Sequence, residues 1–509
     1  MNKPLRKFSV SLVLVLFLAS AAWTQQAEVT RGVTPEDYYL FHQLSDPHLS
    51  PNGKLVAYVV SSVDQKQNRR HSAIWLVAAD GSRGPWPFTT SPQSATSPRW
   101  SPDGQYLAFL SSRPSTTDPI TTQVYLLAMS GGEARRVTNL KNGVSSFQWS
   151  PDGTRLACLS RIGPSDSRAE GSDKDRSDVR HYKNQSYKFN DTGWFDDRRS
   201  HIWITDVKTG SAKQITSGQD WNDTDPQWSP DGTKIAFVSD RTGRAFDDSR
   251  NTDVWVIAAS GGPLTKISDH NEGDNSPRWS PDGKTIAFIG SAQESSHPKV
   301  WLAPSSGGAS KLAVKDLDLI PSDLDWGDKG QALYFESGVK GESHLFRIDL
   351  ATQSFKPVTT GPRAVHQAEI NEQTGKMVYT VNDFKHLNDL FIADASGRGE
   401  RQLTRVNDAL WKQLEFQDVE RITYKGADDW DVDGFFVKPL GWRAGQKYPM
   451  ILSVHGGPAG MYGVDWFHEF QVYAARGWAV FYTNPRGSTG YGEKFERGIK
   501  GEWGGQGLH

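Results

Sequence analysis

The chain has 509 residues, room for two or more domains, since a single hydrophobic core stops growing near roughly 250–300 residues. Apolar residues make up 36% and charged residues 23%, ordinary for a soluble globular protein. A net charge of −2 gives no electrostatic argument for nucleic acid or an anionic membrane as a partner, and a single cysteine, Cys158, excludes a disulfide within these residues.

The first element is predicted to be a signal peptide over residues 1–22. Lys3, Arg6 and Lys7 form a basic start, Ser9–Leu18 is nearly all apolar, and Ala19-Ser20-Ala21-Ala22 offers a small-residue cleavage site. The apolar run is too short for a comfortable transmembrane helix, so no stable membrane insertion is expected after cleavage. With no cysteine near residue 22, a lipoprotein anchor is excluded. The mature protein is expected to be exported, periplasmic or secreted.

A repeat then governs the chain. Ser-Pro-(Asn/Asp)-Gly begins at Ser50, Ser101, Ser150, Ser229 and Ser280, and Trp100, Trp149, Trp228 and Trp279 stand directly before four of the five. Each copy runs into a short apolar strand, such as Tyr106–Leu110 or Ile235–Val238, and then a second, such as Ile74–Val77 or Val254–Ile257. A glycine turn and a third strand ending in threonine close the unit. Pro and Gly suit the turn because Pro presets φ near −65° and Gly accepts φ > 0. Weaker copies at Trp326–Phe335 and Ile370–Tyr379 keep the strand and lose the proline. Units of forty to fifty residues with four short strands are propeller blades, which bury their faces only by stacking in a ring. The expected architecture is a seven-bladed β-propeller over residues 36–412.

The spacing of 79 residues between Ser150 and Ser229, against 49–51 elsewhere, marks an insertion in the third blade at about 163–200. Asp166–Arg180 is polar enough to be a mobile loop. Tyr182, Tyr187, Phe189, Trp194, Phe195, Asp196, Asp197, Arg198 and Arg199 form either an ordered extension packed on its neighbours or a substrate-facing element. The neighbours of Cys158 mark it as a small core residue rather than a reactive thiol.

Beyond Gln413 the repeat disappears. Paired strands at Glu420–Tyr424 and Gly434–Lys438, a strand at Met450–Val454, a helix at Trp466–Arg476 and a strand at Trp478–Thr483 read as the opening of a doubly wound α/β sheet over residues 418–509. The strands Met450–Val454 and Trp478–Thr483 are apolar on both sides, so an open edge and exposed apolar surface are expected here. Met450–Val454 runs directly into His455-Gly456-Gly457-Pro458. In an α/β-hydrolase such a loop offers a backbone N–H to the oxyanion, and a Gly-x-Ser-x-Gly elbow supplies the nucleophile. No Gly-x-Ser-x-Gly occurs in these 509 residues. No His-x-x-x-His pair, phosphate loop or dinucleotide fingerprint occurs either, so no metal site and no cofactor are expected.

The propeller followed by Val454-His-Gly-Gly-Pro458, Asn484-Pro-Arg-Gly-Ser-Thr-Gly-Tyr-Gly492 and Gly501-Glu-Trp-Gly-Gly505 resembles the prolyl oligopeptidase family of serine peptidases, in its acylaminoacyl-peptidase and dipeptidyl-peptidase branch. The resemblance implies hydrolysis of short peptides near their N-terminus by acyl-enzyme chemistry, with a Ser-Asp-His triad lying beyond the Trp-Gly-Gly motif. The chain is therefore expected to be truncated before the catalytic serine and inactive as given. By the same resemblance, the Gly457 N–H is an oxyanion donor and Tyr491 a candidate hydroxyl donor. His455, Gly456 and Pro458 shape the loop, and Arg486 braces it against a carboxylate. Asp196 and Asp197 are candidates for anchoring a substrate's free amine, set against an internal salt-bridge network with Arg198 and Arg199. The alternative is a non-catalytic periplasmic propeller resembling TolB that binds protein partners. Oligomeric state and cleavage preference are not readable.

Overall fold

The computed structural model describes residues 30–90, 92–114, 120–167, 182, 187–190, 193–243, 251–293 and 296–501. The expected signal peptide, most of the polar part of the insertion and Trp503-Gly504-Gly505 lie outside the described residues.

Five sheets of four antiparallel strands and one of eight, whose two four-stranded halves are joined by a single parallel pair at Ser343 and Ala364, follow one another from Gln43 to Gln402 and form the seven blades of the propeller. The repeat turn explains itself in atomic detail. In the second copy, Ser101 Oγ donates to Asp103 Oδ1 (2.6 Å) and accepts the Tyr106 N–H (3.0 Å), while Asp103 accepts the Gln105 N–H (3.0 Å). The threonines that end each unit are structural too. Thr138, Thr216 and Thr404 are buried, and each hydroxyl accepts a backbone N–H of the neighbouring strand, those of Val124, Ile202 and Leu390.

The tryptophans before the turns join one blade to the next. Trp100, Trp149, Trp228, Trp279 and Trp326 each donate the indole N–H to a carbonyl of the preceding blade, those of His48, Arg99, Gln148, Gln227 and Arg278, at 2.9–3.2 Å. Apolar clusters straddle the same boundaries. Cys158 sits in one with Leu110, Val124 and Phe147, fully buried, and burial pushes its thiol up to about 12.

The ring closes without a shared strand. Blade one has Leu49 where blades two to six have tryptophan, and Glu369 of blade seven accepts the Leu49 N–H (3.0 Å) while Asn371 donates to Ser50 O (3.2 Å). Leu44, Val56 and Tyr58 then pack on Val378, Leu390 and Ile392. Closure is thus carried by side chains and one apolar seam.

In the third blade, Tyr182, Tyr187 and Trp194 cluster with ring centroids 5.4–5.8 Å apart. Asp166, expected in a mobile loop, is instead anchored: it accepts from Asn142 (2.8 Å), the Gly163 N–H (2.9 Å) and Arg198 (3.0 Å). Its carboxylate is the fixed point on which the insertion's start is held.

After the propeller comes a four-stranded sheet in the order Val419–Lys425, Asp431–Val437, Ala479–Asn484, Met450–Val454. The first two pairings are antiparallel and the last is parallel, reached through the helix His468–Ala475. Phe470 and Ala474 of this helix bury themselves with Phe435, Val437, Val480 and Tyr482, and Phe384 of blade seven joins the same cluster. This is the start of an α/β-hydrolase sheet, seated on the propeller. The strand Arg31–Gly32 pairs with Leu414–Glu415, so the stretch before the first blade belongs to this side of the molecule. Met450, Leu452 and Val454 on the edge strand are each more than half exposed, which gives the open edge and apolar surface their residues. Among the described residues no helix is long and apolar enough to cross a membrane.

Candidate active-site loops

The edge strand Met450–Val454 ends at His455, and the chain turns through Gly456 and Gly457. Gly457 has φ +140°, and a Cβ there would meet Ala459 N at 2.7 Å, so the turn requires glycine. The residue is exposed, and among the described residues no acceptor takes its N–H. An N–H held outward at the C-terminal end of a parallel strand is what a developing oxyanion needs.

The neighbouring parallel strand, Ala479–Asn484, ends in the second loop, residues 484–492. His455 Nε2 lies 2.8 Å from Ser488 Oγ, and that hydroxyl donates to Pro485 O (2.6 Å). With its proton spent on Pro485, Ser488 accepts from His455 and fixes the imidazole between the loops. A backbone bond from Thr489 N to Gly460 O (2.9 Å) runs beside it. Ser488 is fully buried and was missed in the sequence; the only signal was a small hydroxyl residue in the Gly487-Ser488-Thr489-Gly490 turn.

Asn484, also fully buried, fixes the far side. Its Oδ1 accepts the Tyr462 N–H (2.7 Å), and its Nδ2 donates to Tyr462 O (2.8 Å) and to the Tyr491 hydroxyl (3.0 Å). The Tyr491 hydroxyl is raised above its ordinary pKa, chiefly by burial and further by Asp433 beside it. Its ring packs on Phe495, 5.1 Å between centroids. Arg486 donates to Asp428 Oδ2 (2.9 Å) and lies over Trp430, tying the second loop to the turn between the first two strands of the sheet.

A propeller hairpin reaches this site. Lys340 N donates to Gly490 O (3.0 Å), and Gly341 O accepts the Val464 N–H (2.9 Å). A cavity of about 400 Å³ opens beside the hairpin, lined by Lys340, Glu342, Phe384, Arg421, Phe435 and Val464 among others.

The other sequence candidates lie in the blade-three insertion. Asp196 pairs with Arg161 (2.7 Å) and Arg198 (3.4 Å), and Asp197 accepts from the Ser165 N–H (2.9 Å) and hydroxyl (2.6 Å).

Residues 464–509 match the model of the prolyl oligopeptidase family, and residues 194–300 match that of the TolB β-propeller domain. An uncharacterized peptidase of Bacillus subtilis, YuxL, is 30% identical over 493 residues, covering 93% of this chain and 74% of its own length. Dipeptidyl-peptidase 5 of Porphyromonas gingivalis is 27% identical, over 98% of this chain and 74% of its own. Among solved structures, an acylaminoacyl peptidase in complex with Z-Gly-Gly-Phe-chloromethyl ketone shares the fold with a TM-score of 0.76 at 24% identity, covering 94% of this chain and 70% of that one. The β-propeller domain of the trilobed protease from Pyrococcus furiosus, described as having an open velcro topology, matches 72% of this chain and 99% of its own with a TM-score of 0.51 at 19% identity.

Proposed function

Because the chain belongs to the prolyl oligopeptidase family of serine peptidases, we propose that it serves an exported peptidase that releases dipeptides or N-acylated amino acids from the N-terminal end of short peptides. The observation that carries this reading is the outward, unclaimed N–H of Gly457 on a loop that glycine alone can make. In acyl transfer, attack on the scissile carbonyl puts negative charge on its oxygen, and a positioned N–H stabilises that charge by about 2.7–4 kcal/mol in the transition state. His455 and Ser488 hold the loop in place, Gly456 and Pro458 set its path, and Arg486 braces the loop opposite. Tyr491 is the candidate second donor; its hydroxyl accepts from Asn484 and keeps its own proton for the substrate.

No Gly-x-Ser-x-Gly stands in residues 1–509, so these residues supply charge stabilisation and no nucleophile, and the polypeptide of this length is inactive in this reading. The ion pairs of Asp196 and the hydrogen bonds of Asp197 favour an internal network over an amine anchor. In an enzyme carrying its serine, Asp196→Asn then changes KM equally for free-amine and N-acylated substrates. A KM rise confined to free-amine dipeptides would restore the anchor.

The match of residues 194–300 to the TolB propeller supports the second reading, a propeller that binds protein without catalysis. The Gly457 loop separates the two, since a binding propeller has no use for an oxyanion donor behind a parallel strand. The test is Gly457→Ala in the serine-bearing enzyme: kcat falls by about 10²–10³ with KM little changed. Unchanged kcat would remove the oxyanion role.

A further inference from the structure

Away from the site loops, three groups from different parts of the chain converge where the propeller meets the hydrolase segment. His297 comes from the loop before the third strand of blade five, Asp318 from the link between blades five and six, and Glu493 from the first turn of the helix Glu493–Arg497. One potential ligand atom of each lies within 4.8 Å of the others.

His297 is the informative member. It is 4% exposed, and its Nε2 lies 2.5 Å from Glu496 Oε2, on the same short helix. A carboxylate accepts, so in the neutral imidazole Nε2 carries the proton and Nδ1 presents a lone pair. That Nδ1 is buried and has no hydrogen-bond partner. It faces Asp318 Oδ1 at 3.7 Å, an oxygen already accepting the Glu493 N–H at 2.8 Å. At 3.7 Å Nδ1 and Oδ1 are too far apart for a hydrogen bond. They stand near the separation of two ligands on one tetrahedral ion, roughly 3.3–3.6 Å for bonds of about 2.0–2.2 Å.

We propose that His297 Nδ1, Asp318 and Glu493 bind a zinc ion, with Glu496 as the outer carboxylate that orients the imidazole. A histidine whose other nitrogen is held by a carboxylate is the usual arrangement behind a zinc ligand. One nitrogen and two carboxylate oxygens leave a fourth position for water. They also select zinc over magnesium and calcium, which take oxygen ligands. Arg497 occupies one oxygen of Glu493 at 3.1 Å, and a carboxylate has a second to give. Asp318, 67% exposed, provides the way in for the ion. Bound there, zinc staples the segment that directly follows the 484–492 loop to blades five and six.

The test uses the tag-free, metal-stripped chain, titrated with Zn²⁺ against a chromogenic chelator and followed by thermal melting. One zinc per chain is expected, with a rise in melting temperature that Mg²⁺ and Ca²⁺ do not produce. His297→Gln and Asp318→Asn each weaken binding at least about tenfold, and Glu496→Gln by about 10–100-fold as an outer-shell change. Asp318 is exposed enough that its variant keeps the fold. Overturning results are no stoichiometric zinc, wild-type affinity in Asp318→Asn, or equal binding of Ca²⁺.

Discussion

His455 Nε2 lies 2.8 Å from Ser488 Oγ, and this contact joins the loops that follow two adjacent parallel strands. The Gly457 turn is held on one side by its own backbone and on the other by this side-chain bond. Rigidity there has chemical meaning, because a donor that need not reorganise is worth more to a transition state than one that must.

Replacing Ser488 by alanine leaves the His455 nitrogen facing an apolar methyl and removes the bond to Pro485 O. A cost of about 1–3 kcal/mol is expected in urea unfolding. Amide exchange at residues 456–460 is expected to quicken at least tenfold in the same variant. Unaltered exchange there would show that the backbone alone holds the loop.

Gly463 and Gly341 meet where the propeller hairpin enters the hydrolase segment. A Cβ on Gly463 would lie 1.9 Å from Gly341 O, and one on Gly341 would lie 2.5 Å from the Phe435 ring. Gly463→Ala therefore forces the hairpin back and breaks the bond from Val464 N to Gly341 O. Overpacking of this kind costs about 1–3 kcal/mol. Exchange at Val464 is expected to rise while exchange in blades two to five does not. A variant with wild-type unfolding would show that the hairpin moves freely.

The indoles that join the blades can be tested one at a time. Trp279→Phe keeps most of the buried ring and deletes the donor to Gln227 O, so about 1 kcal/mol should be lost in equilibrium unfolding. No loss would demote these bonds to a by-product of packing.

Burial holds the Glu336 carboxyl at about 7, against an ordinary 4.5, despite the Ala368 N–H it accepts; Asp323 nearby pushes it up and His366 pulls it down. The folded protein thus keeps a proton that the unfolded chain has released across the window from about 4.5 to about 7. Stability from this group falls as pH rises through that window and is level above it. Asp325, raised by burial to about 7, acts in the same direction. Wild-type protein is expected to be less stable at pH 8 than at pH 5 in urea, and Glu336→Gln should show a smaller difference. Equal differences in the two proteins would contradict the assignment.

The propeller was legible because its signature residues each have a local job. The serine, acidic or amide residue and glycine of the repeat close their own turn, so their spacing alone marks the first five blades. Trp100 and its counterparts were legible as a pattern, but their partners were not, because the carbonyls they reach belong to any residue and leave no trace in sequence. The ring closure was hidden for the same reason: Glu369 is one acidic residue in a degenerate copy, and only the fold brings it to Leu49. At the site, Gly457 could be read from its motif, since glycine at that φ is a backbone requirement. Ser488, Asn484 and the pair Gly341 and Gly463 could not, because each depends on a contact between separate segments. The blade-three insertion shows the converse. Asp166, the first residue of the polar run read as a mobile loop, finds Arg198 and Asn142 and becomes an anchor, while residues 168–180 lie outside the described residues.

In the function proposed for this chain, residues 455–458 are the oxyanion loop of a serine peptidase and residues 1–509 add no nucleophile to it. Incubating the purified polypeptide with a fluorophosphonate probe, beside a fluorogenic dipeptide amide and an N-acylated amino-acid amide, tests it directly. The expected result is no labelled serine and no release of fluorophore above buffer. Stoichiometric labelling of any serine in this chain, with turnover abolished by replacing that serine, would contradict it.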